Sequence, residues 1–428
     1  MSDYNPLNND ILAELRAIVG ERFVVTDEEV LEPFSHDEVS DPRYAHMPEA
    51  VVKPENARQI AAIMRLANKR LFPVTPRGAG SGLSGGAVPR FGGIVLTFER
   101  MNRILEIDTD NMMVVVEPGV ITNDINDRLK DYGLYFAGYP MSIESCFVGG
   151  IVAENAGGGK AVKYGVTERY ILGLEFVTPT GEIVQTGGKR IKDVSGYNLR
   201  RFLVGSEGTL GIITKVIIKL LPLPKAAVDL FVLFPDTASA IAAVPKIITR
   251  SGIVPTAIEF MDRFCLDEAC MYLNETINIH NAGAALLIEI DGPDEQILEK
   301  DCDIVGGLCI EFGAVEVYVA DNYTTRERLW RIRRNLGEAL LVKYPTESVE
   351  DMVVPTASIP EMMDEVGNIA AEYNVLVAPH GHAGDGNIHA NIIMPPGDDP
   401  ESFAKRLPQV QEKMYRVAHR LGGTISGE

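Results

Sequence analysis

Cysteine is scarce in this 428-residue chain, and its arrangement argues against two classes of redox protein. The cysteines are odd in number and contain no C-x-x-C pair; they are Cys146, Cys265, Cys270, Cys302 and Cys309. Neither a disulfide framework nor an iron–sulfur cluster is therefore indicated. If the protein carries out redox chemistry, its electrons must leave through an organic cofactor or a partner protein.

Basic residues and long apolar runs are also few. The chain has 40 Lys and Arg against 60 Asp and Glu, a formal net charge of −20, which argues against nucleic-acid binding because that requires clustered cations. An anionic substrate would need a local positive site. No apolar run is long enough for a membrane span, and the N-terminus lacks the basic-then-apolar pattern of a signal peptide. We therefore expect a cytoplasmic protein.

Glycine, by contrast, is concentrated in the stretch Pro73–Ala87. Residues Gly80–Gly85 spell G-x-G-x-x-G, the dinucleotide-binding pattern, which requires a strand before it and a helix after it. The residues that follow include Pro89 and a β-like run at Ile94–Phe98, so no helix is predicted there. A Rossmann-type nicotinamide site is therefore not expected.

Three further glycine-rich turns occur at Glu117–Val120, Val148–Gly159 and Gly205–Ile212. Together with the first stretch they predict one large cofactor, whose phosphates are bound by backbone amides and whose ring lies on small apolar residues. The turns alone leave an alternative open, namely a glycine-rich β domain without any ligand.

The pattern of strands and helices divides the chain near a double proline. Short β-like runs end at Pro222 and Pro224, and beyond them strands and helices alternate. We predict a helical lead-in over residues 1–47, a first domain over 48–224 and a second domain over 225–428. The second domain is expected to be α+β, with a sheet covered by helices on one face.

The sequence HGHAGDGNIH contains three histidines, His380, His382 and His389, which its glycines can bring together. Two histidines and a carboxylate are a common set of ligands for a divalent metal, and Asp385 or the distant Glu428 can supply the oxygen. Hydrogen-bonded histidines without a metal are the alternative that this spacing leaves open.

The sequence WRIRR lies on a predicted helix over Thr325–Lys343. Arg331 and Arg334 share one helical face, and Arg333 points away from both. Charged helix faces are usually solvated, but a single arginine can bind a substrate carboxylate through two hydrogen bonds.

Several of these motifs resemble those of one flavoprotein family. TPRGAGSGLSGGA, GGIVAENAGG, KYGVTERYILGLEFV, KDVSGYNLRRFLVGSEGTLGIIT and GHAGDGNIH are similar to the FAD-linked D-lactate dehydrogenase and glycolate oxidase FAD-subunit family. That family is part of the vanillyl-alcohol oxidase and p-cresol methylhydroxylase superfamily. The resemblance runs from about Pro48 to the last residue. It implies an α+β protein, with a p-cresol methylhydroxylase-type FAD-binding domain followed by an α+β substrate domain of the FAD-linked oxidase C-terminal type.

The resemblance implies that FAD is bound non-covalently, because Ser81 stands near the point where some relatives attach the flavin through histidine. It also implies which residues surround the cofactor. These are Pro76, Arg77, Gly78, Ala79, Gly80, Ser81, Gly82, Leu83, Pro140, Ser142, Ser145, Gly149, Gly150, Ala153, Glu154, Asn155, Gly157, Gly158, Glu207, Gly211 and Ile212.

The resemblance further implies a substrate site in the second domain. His382, His389 and Glu428 match the family's ligands for a divalent ion, which can be Zn, Fe or Mn, and Arg333 matches the arginine that binds the substrate carboxylate. Arg333, His382 and His389 are thus the predicted catalytic residues. In relatives a catalytic histidine directly follows the glutamate. The present sequence ends at Glu428; either it has been trimmed, which we expect, or this form lacks that base.

The expected activity is FAD-dependent oxidation of a D-2-hydroxy acid, first D-lactate and second glycolate, by metal-assisted hydride transfer to flavin N5. The electrons are expected to pass to an iron–sulfur subunit or to an electron-transferring flavoprotein, and the latter would permit electron bifurcation. The alternatives are oxidation of D-2-hydroxyglutarate and a flavin-binding electron-transfer subunit that serves mainly for docking.

Overall fold

The chain forms two compact units. This computed structural model describes residues 4–39, 42–279, 281–320 and 322–427. Among them, the first unit contains the residues up to Gly158, Gly165–Leu223 and Gly427, and the second contains Gly159–Tyr164 and Pro224–Ser426. The chain therefore enters the second unit briefly at Gly159, before its main entry at Pro224.

The described residues form fourteen α-helices and nineteen β-strands. The helices are α1 (Asn9–Val19), α2 (Glu28–Leu31), α3 (Ala57–Arg70), α4 (Thr122–Leu129), α5 (Val148–Glu154), α6 (Ala161–Tyr164), α7 (Leu199–Leu203), α8 (Thr237–Ser251), α9 (Arg263–Tyr272), α10 (Glu295–Glu311), α11 (Tyr323–Arg334), α12 (Leu336–Lys343), α13 (Ile359–Tyr373) and α14 (Pro400–Arg420). The strands are β1 (Val24–Val25), β2 (Ala50–Val52), β3 (Val74–Arg77), β4 (Ile94–Thr97), β5 (Ile104–Asp108), β6 (Met113–Val116), β7 (Leu134–Tyr135), β8 (Ile171–Val177), β9 (Ile183–Gly187), β10 (Ile212–Lys219), β11 (Leu221–Pro222), β12 (Ala226–Phe234), β13 (Ala257–Asp262), β14 (Ala284–Gly292), β15 (Glu316–Ala320), β16 (Glu347–Val353), β17 (Leu376–Gly381), β18 (Asn387–Ile393) and β19 (Thr424–Ile425).

Two sheets and a short strand pair build the first unit. One sheet has the order β1-β2-β4-β3, and the other has the order β5-β6-β10-β8-β9 with antiparallel pairs throughout. Strands β3 and β4 are parallel neighbours, with Val74 opposite Ile94. The glycine-rich stretch is the connection between them, and it contains no helix, as predicted.

The core of the first unit lies between the β1-β2-β4-β3 sheet and two helices. The apolar residues Ile60 and Ile63 of α3 and Leu15 of α1 are fully or almost fully buried there. Each such side chain stabilises the fold by roughly 1.5–3 kcal/mol. Asn56 caps α3 by accepting a hydrogen bond from the amide of Gln59. The residues predicted as a lead-in thus contribute a helix to this core.

The second unit contains one antiparallel sheet with the order β15-β12-β14-β13-β17-β18-β16-β19. Alternate residues of β12, such as Leu230 and Val232, pack into a large core with α8, α10, α13 and α14. On the opposite face, Asp229 accepts a hydrogen bond from the indole of Trp330 on α11, and α9 and α12 pack beside α11.

The prediction of helices on one face only is therefore wrong. Strand β12 ends in the uninterrupted buried run Asp229–Phe234. Such a run, without apolar and polar alternation, is the pattern of a strand covered on both faces. The predicted helix over Thr325–Lys343 is in fact two helices, α11 and α12, separated at Asn335.

Among the described residues, no helix combines the length and the apolar character that crossing a membrane requires. The cytoplasmic location stays a prediction.

Candidate functional site

The first unit contains a cleft, partly open to solvent, which we call the glycine-lined cleft. Its walls come from the loop after β3, from the segment that leads into α5, and from the beginning of β10. Of the residues predicted to hold the cofactor, those that line it are Pro76, Gly78, Ala79, Gly80, Ser81, Gly82, Leu83, Pro140, Ser142, Gly149, Gly150, Ala153, Glu154, Glu207, Gly211 and Ile212.

Close packing explains why glycine is required at particular positions of the cleft. Gly80 has a left-handed backbone with φ of 82°, and a Cβ there would lie 2.0 Å from the Arg77 guanidinium. A Cβ on Gly149 would lie 2.7 Å from the Cβ of Pro118, because the amide of Gly149 donates a hydrogen bond to the Pro118 carbonyl. The loops can therefore approach each other only with bare backbone.

One side of the cleft offers backbone amides. Within the part of the chain that the structure describes, the five successive amides from Ala79 to Leu83 donate no hydrogen bond to protein. Successive amides of this kind form a concave donor surface that suits a phosphate group. The residues present therefore fit the pyrophosphate of a dinucleotide cofactor.

The cleft also contains three carboxylates, Asp37, Glu154 and Glu207. Asp37 accepts from the amide of Gly85 at 2.8 Å, and Glu154 accepts from the Ser84 hydroxyl at 3.2 Å. Burial, together with the negative charges of Glu207 and Asp37, raises the pKa of Glu154. Carboxylates repel phosphate and accept from O–H and N–H donors, so they fit the hydroxyl-bearing or ring portion of a cofactor.

Five predicted cofactor residues do not line the cleft, namely Arg77, Ser145, Asn155, Gly157 and Gly158. The buried guanidinium of Arg77 donates instead to the carbonyls of His36 and Pro33, at 2.6 and 3.1 Å. The side chain of Asn155 accepts from the amide of Glu168. These residues shape the loops around the cleft. Asp37 was missed, since no local pattern marks a carboxylate so far from the glycine-rich stretch.

The second unit holds a separate group of buried polar residues, which we call the polar cluster: Glu259, Arg333, His380, His382 and His389. The hairpin of β17 and β18 pairs His380 with His389, and their ring centroids are 5.1 Å apart. The ring of His382 stands edge-on to that of His389, at 5.2 Å. The three histidines of the sequence HGHAGDGNIH are thus brought together.

Glu259 lies within this group, and the sequence interpretation missed it. Both of its carboxylate oxygens are 2.8 Å from Nδ1 of His382, and Oε2 is 2.7 Å from Nε of Arg333. Burial disfavours its charge, but its interactions with His382 and Arg333 outweigh burial and lower the pKa of this carboxyl below its ordinary value. A charged residue within the apolar strand AIEFMD was the available signal.

The other histidines have different surroundings. Burial, followed by the positive charges of His389 and Arg333, lowers the pKa of His380 well below its ordinary value, so this ring is neutral. Nδ1 of His389 is 3.4 Å from Asp351, the residue opposite it on β16. Asp385 accepts from the amide of Asn387, which places it in the hairpin turn.

Only some of the predicted ligands of the divalent ion lie among the described residues. Glu428, the predicted carboxylate ligand, lies outside the described residues, and the remainder contain no group of three His, Cys, Asp or Glu arranged around a metal position. The donor chemistry nevertheless fits. His382 and His389 each have Nδ1 beside a carboxylate, the arrangement that orients metal-binding histidines.

Two protein-family models match separate parts of the chain. Residues 48–187 match the FAD binding domain family, and residues 223–428 match the C-terminal domain of FAD linked oxidases. The chain is 39% identical to glycolate oxidase subunit GlcD of Bacillus subtilis, over 92% of this chain and 83% of that protein. It is 36% identical to D-lactate dehydrogenase of Anaerostipes hadrus, over 99% of this chain and 90% of that protein.

Solved structures share the fold. p-Cresol methylhydroxylase with bound substrate superimposes with a TM-score of 0.78 at 17% identity, over 97% of this chain and 88% of that one. Alkyldihydroxyacetonephosphate synthase superimposes with a TM-score of 0.77 at 18% identity, over 99% and 83%. The predicted fold class is confirmed. The chain therefore belongs to the family of FAD-linked oxidoreductases that includes D-lactate dehydrogenase and the glycolate oxidase subunit GlcD.

Proposed function

We propose that the protein oxidises a small D-2-hydroxy acid, D-lactate before glycolate, to the 2-keto acid. The observation that carries the proposal is the buried Arg333 beside His382 in an otherwise acidic chain. A buried cation next to histidines is what an anionic substrate requires in such a protein. The names of the relatives supply the substrate class.

Arg333 is proposed to bind the substrate carboxylate. Its Nε pairs with Glu259 at 2.7 Å and its Nη2 lies 3.5 Å from Nδ1 of His382, and the remaining N–H groups of the two terminal nitrogens would donate to a carboxylate in parallel. This grip would fix the direction of the Cα–H bond, because the carboxylate is attached directly to that carbon. The cluster would thereby orient the bond that breaks.

His382, His389 and Glu428 are proposed to hold a divalent ion, Zn, Fe or Mn. A bound metal would lower the pKa of the substrate hydroxyl. FAD, bound non-covalently in the glycine-lined cleft, would accept the Cα hydride at N5.

The test is anaerobic reduction of the FAD-loaded protein. D-Lactate should bleach the flavin absorbance, glycolate should do so more slowly, and L-lactate should leave it unchanged; D-2-hydroxyglutarate tests a longer substrate. Chelation followed by Zn²⁺, Mn²⁺ or Fe²⁺ addition tests the metal. Acid precipitation should release the flavin into solution. A flavin that stays oxidised with all four acids, in protein supplied with each metal, would refute the proposal.

A partner protein is proposed as the electron acceptor, either an electron-transferring flavoprotein or an iron–sulfur subunit. The five cysteines are free thiols, and most are buried at separate positions, which supports a separate acceptor. Co-purification from the native source tests this proposal. A flavoprotein partner that reoxidises the reduced protein would allow coupling to NAD, whereas reoxidation by oxygen alone at full turnover would contradict a partner.

A further inference from the structure

We infer that Glu259 is a positioning residue that fixes Arg333 and His382 as one unit. The inference rests on the proposed function, since it assigns those two residues to substrate and metal. Glu259 does not reach the reacting atoms in this scheme. It acts by holding the two groups that do.

The position of Glu259 is not explained by packing. It lies in the middle of β13, opposite Leu287, and its side chain is 0% exposed. A carboxylate in such a place is costly unless it is paired, and an apolar side chain of similar size often gives equal or greater stability. The residue therefore indicates a requirement other than stability.

The contacts of Glu259 determine the state of the histidine. Both oxygens face Nδ1 of His382 at 2.8 Å, closer than Nη2 of Arg333, which is 3.5 Å from the same nitrogen. The neutral ring therefore carries its proton on Nδ1, and this N–H donates a hydrogen bond to Glu259. This tautomer leaves the lone pair on Nε2, the form in which a histidine binds a metal.

The same carboxylate sets the direction of the arginine. The ion pair at 2.7 Å holds the guanidinium against Glu259, with Nη2 at 3.5 Å from Nδ1 of His382, so the arginine and the histidine are kept side by side. Substrate carboxylate and metal would then meet groups held by a single side chain. A displacement of Glu259 should affect both together.

The absence of a side chain at Gly159 leaves room for the carboxylate of Glu259. A Cβ on Gly159 would lie 2.5 Å from Oε1 of Glu259 and 3.5 Å from Nδ1 of His382. The glycine cannot easily move aside, because Lys160 pairs with Glu289 at 3.0 Å and the Tyr164 hydroxyl donates to Asp291 at 2.9 Å. Gly159→Ala thus moves Glu259 without changing its chemistry.

The experiment compares Glu259→Gln, Gly159→Ala and the control Gly307→Ala, whose added Cβ meets no atom within 4 Å. In FAD-loaded full chain, calorimetric titration with Mn²⁺ should give a Kd about 10–100-fold weaker for the first two variants. Their KM for D-lactate should rise and their kcat should fall, and the control should match the parent. Parent-like Mn²⁺ affinity and kinetics in both variants would overturn the inference.

A second measurement remains decisive if both variants fail to fold. In metal-free parent protein labelled with ¹⁵N-histidine, the signal lost in His382→Gln identifies His382. Its shifts should report a proton on Nδ1, and a proton on Nε2 instead would overturn the inference. This readout needs neither metal nor substrate. A parent protein that oxidises no hydroxy acid and binds no Mn²⁺ would therefore refute the proposed function while leaving the tautomer test in force.

Discussion

The glycine-lined cleft is formed mainly by backbone, whereas the polar cluster is formed by side chains. The cleft is built mainly from glycine and backbone amides, drawn from turns whose sequences are distinctive even in isolation. The cluster is built from ionisable side chains on three strands of one sheet, on the turn between two of those strands, and on a helix. A site of bare backbone is perturbed mainly by adding atoms, whereas a side-chain site fails when one charge is removed. Substitutions that separate these two behaviours test the comparison.

The largest effect is expected for Arg333→Leu. It would leave Glu259 buried beside only one partner, and breaking a buried pair in this way costs about 3–5 kcal/mol of unfolding free energy. Urea unfolding followed by the fluorescence of Trp330, the chain's one tryptophan, would measure it. Flavin reduction by D-lactate should be lost, while FAD content should stay that of the parent.

The matched control is the double variant Arg333→Leu with Glu259→Leu. It should regain most of the stability and none of the activity, because no unpaired charge remains. If Arg333→Leu alone were as stable as the parent, the ion pair between Arg333 and Glu259 would contribute nothing to the free energy of unfolding. The cluster would then resemble the cleft in its tolerance of lost charge.

The next effect concerns Asp229, which supports the helix that carries Arg333. Burial and the charge of Glu289 raise the pKa of Asp229 to about 6. Because the folded pKa is the higher one, the stabilisation is complete below the ordinary carboxyl pKa and is lost as the pH rises through about 6. A difference of this size between the folded and unfolded pKa corresponds to about 3 kcal/mol at most.

Asp229→Asn should flatten this dependence, since the amide oxygen can still accept from the Trp330 indole. Urea midpoints between pH 4 and pH 7.5 measure the difference. The parent should lose stability across this range more steeply than the variant. Parallel profiles would mean that Asp229 is charged throughout.

A smaller effect is expected in the cleft for Gly150→Ala. The added Cβ would meet no protein atom within 4 Å, and Gly150 lines the cleft. Alanine in place of glycine within a helix should stabilise the FAD-free protein by about 0.5–1 kcal/mol. FAD affinity should fall about tenfold, equivalent to about 1.4 kcal/mol, if the cofactor lies on this backbone.

Fluorescence titration of FAD-free protein with FAD measures that affinity. Gly337→Ala is the control, because its Cβ also meets no atom and it lies on α12 of the second unit. It should bind FAD as the parent does. Unchanged affinity in Gly150→Ala would remove this residue from the proposed FAD contacts.

The two regions also differ in how far the sequence could predict them. The glycine-rich stretch and the histidine hairpin are continuous segments. The motifs that carry the family resemblance therefore selected most residues that line the cleft, and the glycines between the histidines indicated that the three rings converge. Glu259 and His382 are 123 residues apart, and their contact depends on the order of strands in the sheet. The strand order depends on pairing between segments that are far apart in the sequence, and local periodicity does not predict such pairing. The same is true of the helices α9, α11 and α12, which cover the second face of the sheet.

The smallest effect tests Glu207, which lines the cleft and has a left-handed backbone with φ of 51°. Glycine adopts this conformation without the cost of about 1–3 kcal/mol that other residues bear, although it adds entropy to the unfolded chain. Glu207→Gly should therefore be about 1 kcal/mol more stable than Glu207→Ala by urea unfolding. Both variants remove the carboxylate, so both should bind FAD equally and more weakly than the parent. Equal stability of the two variants would show that Glu207 bears no backbone strain. FAD binding as tight as the parent's would show that the cleft holds its cofactor through backbone alone.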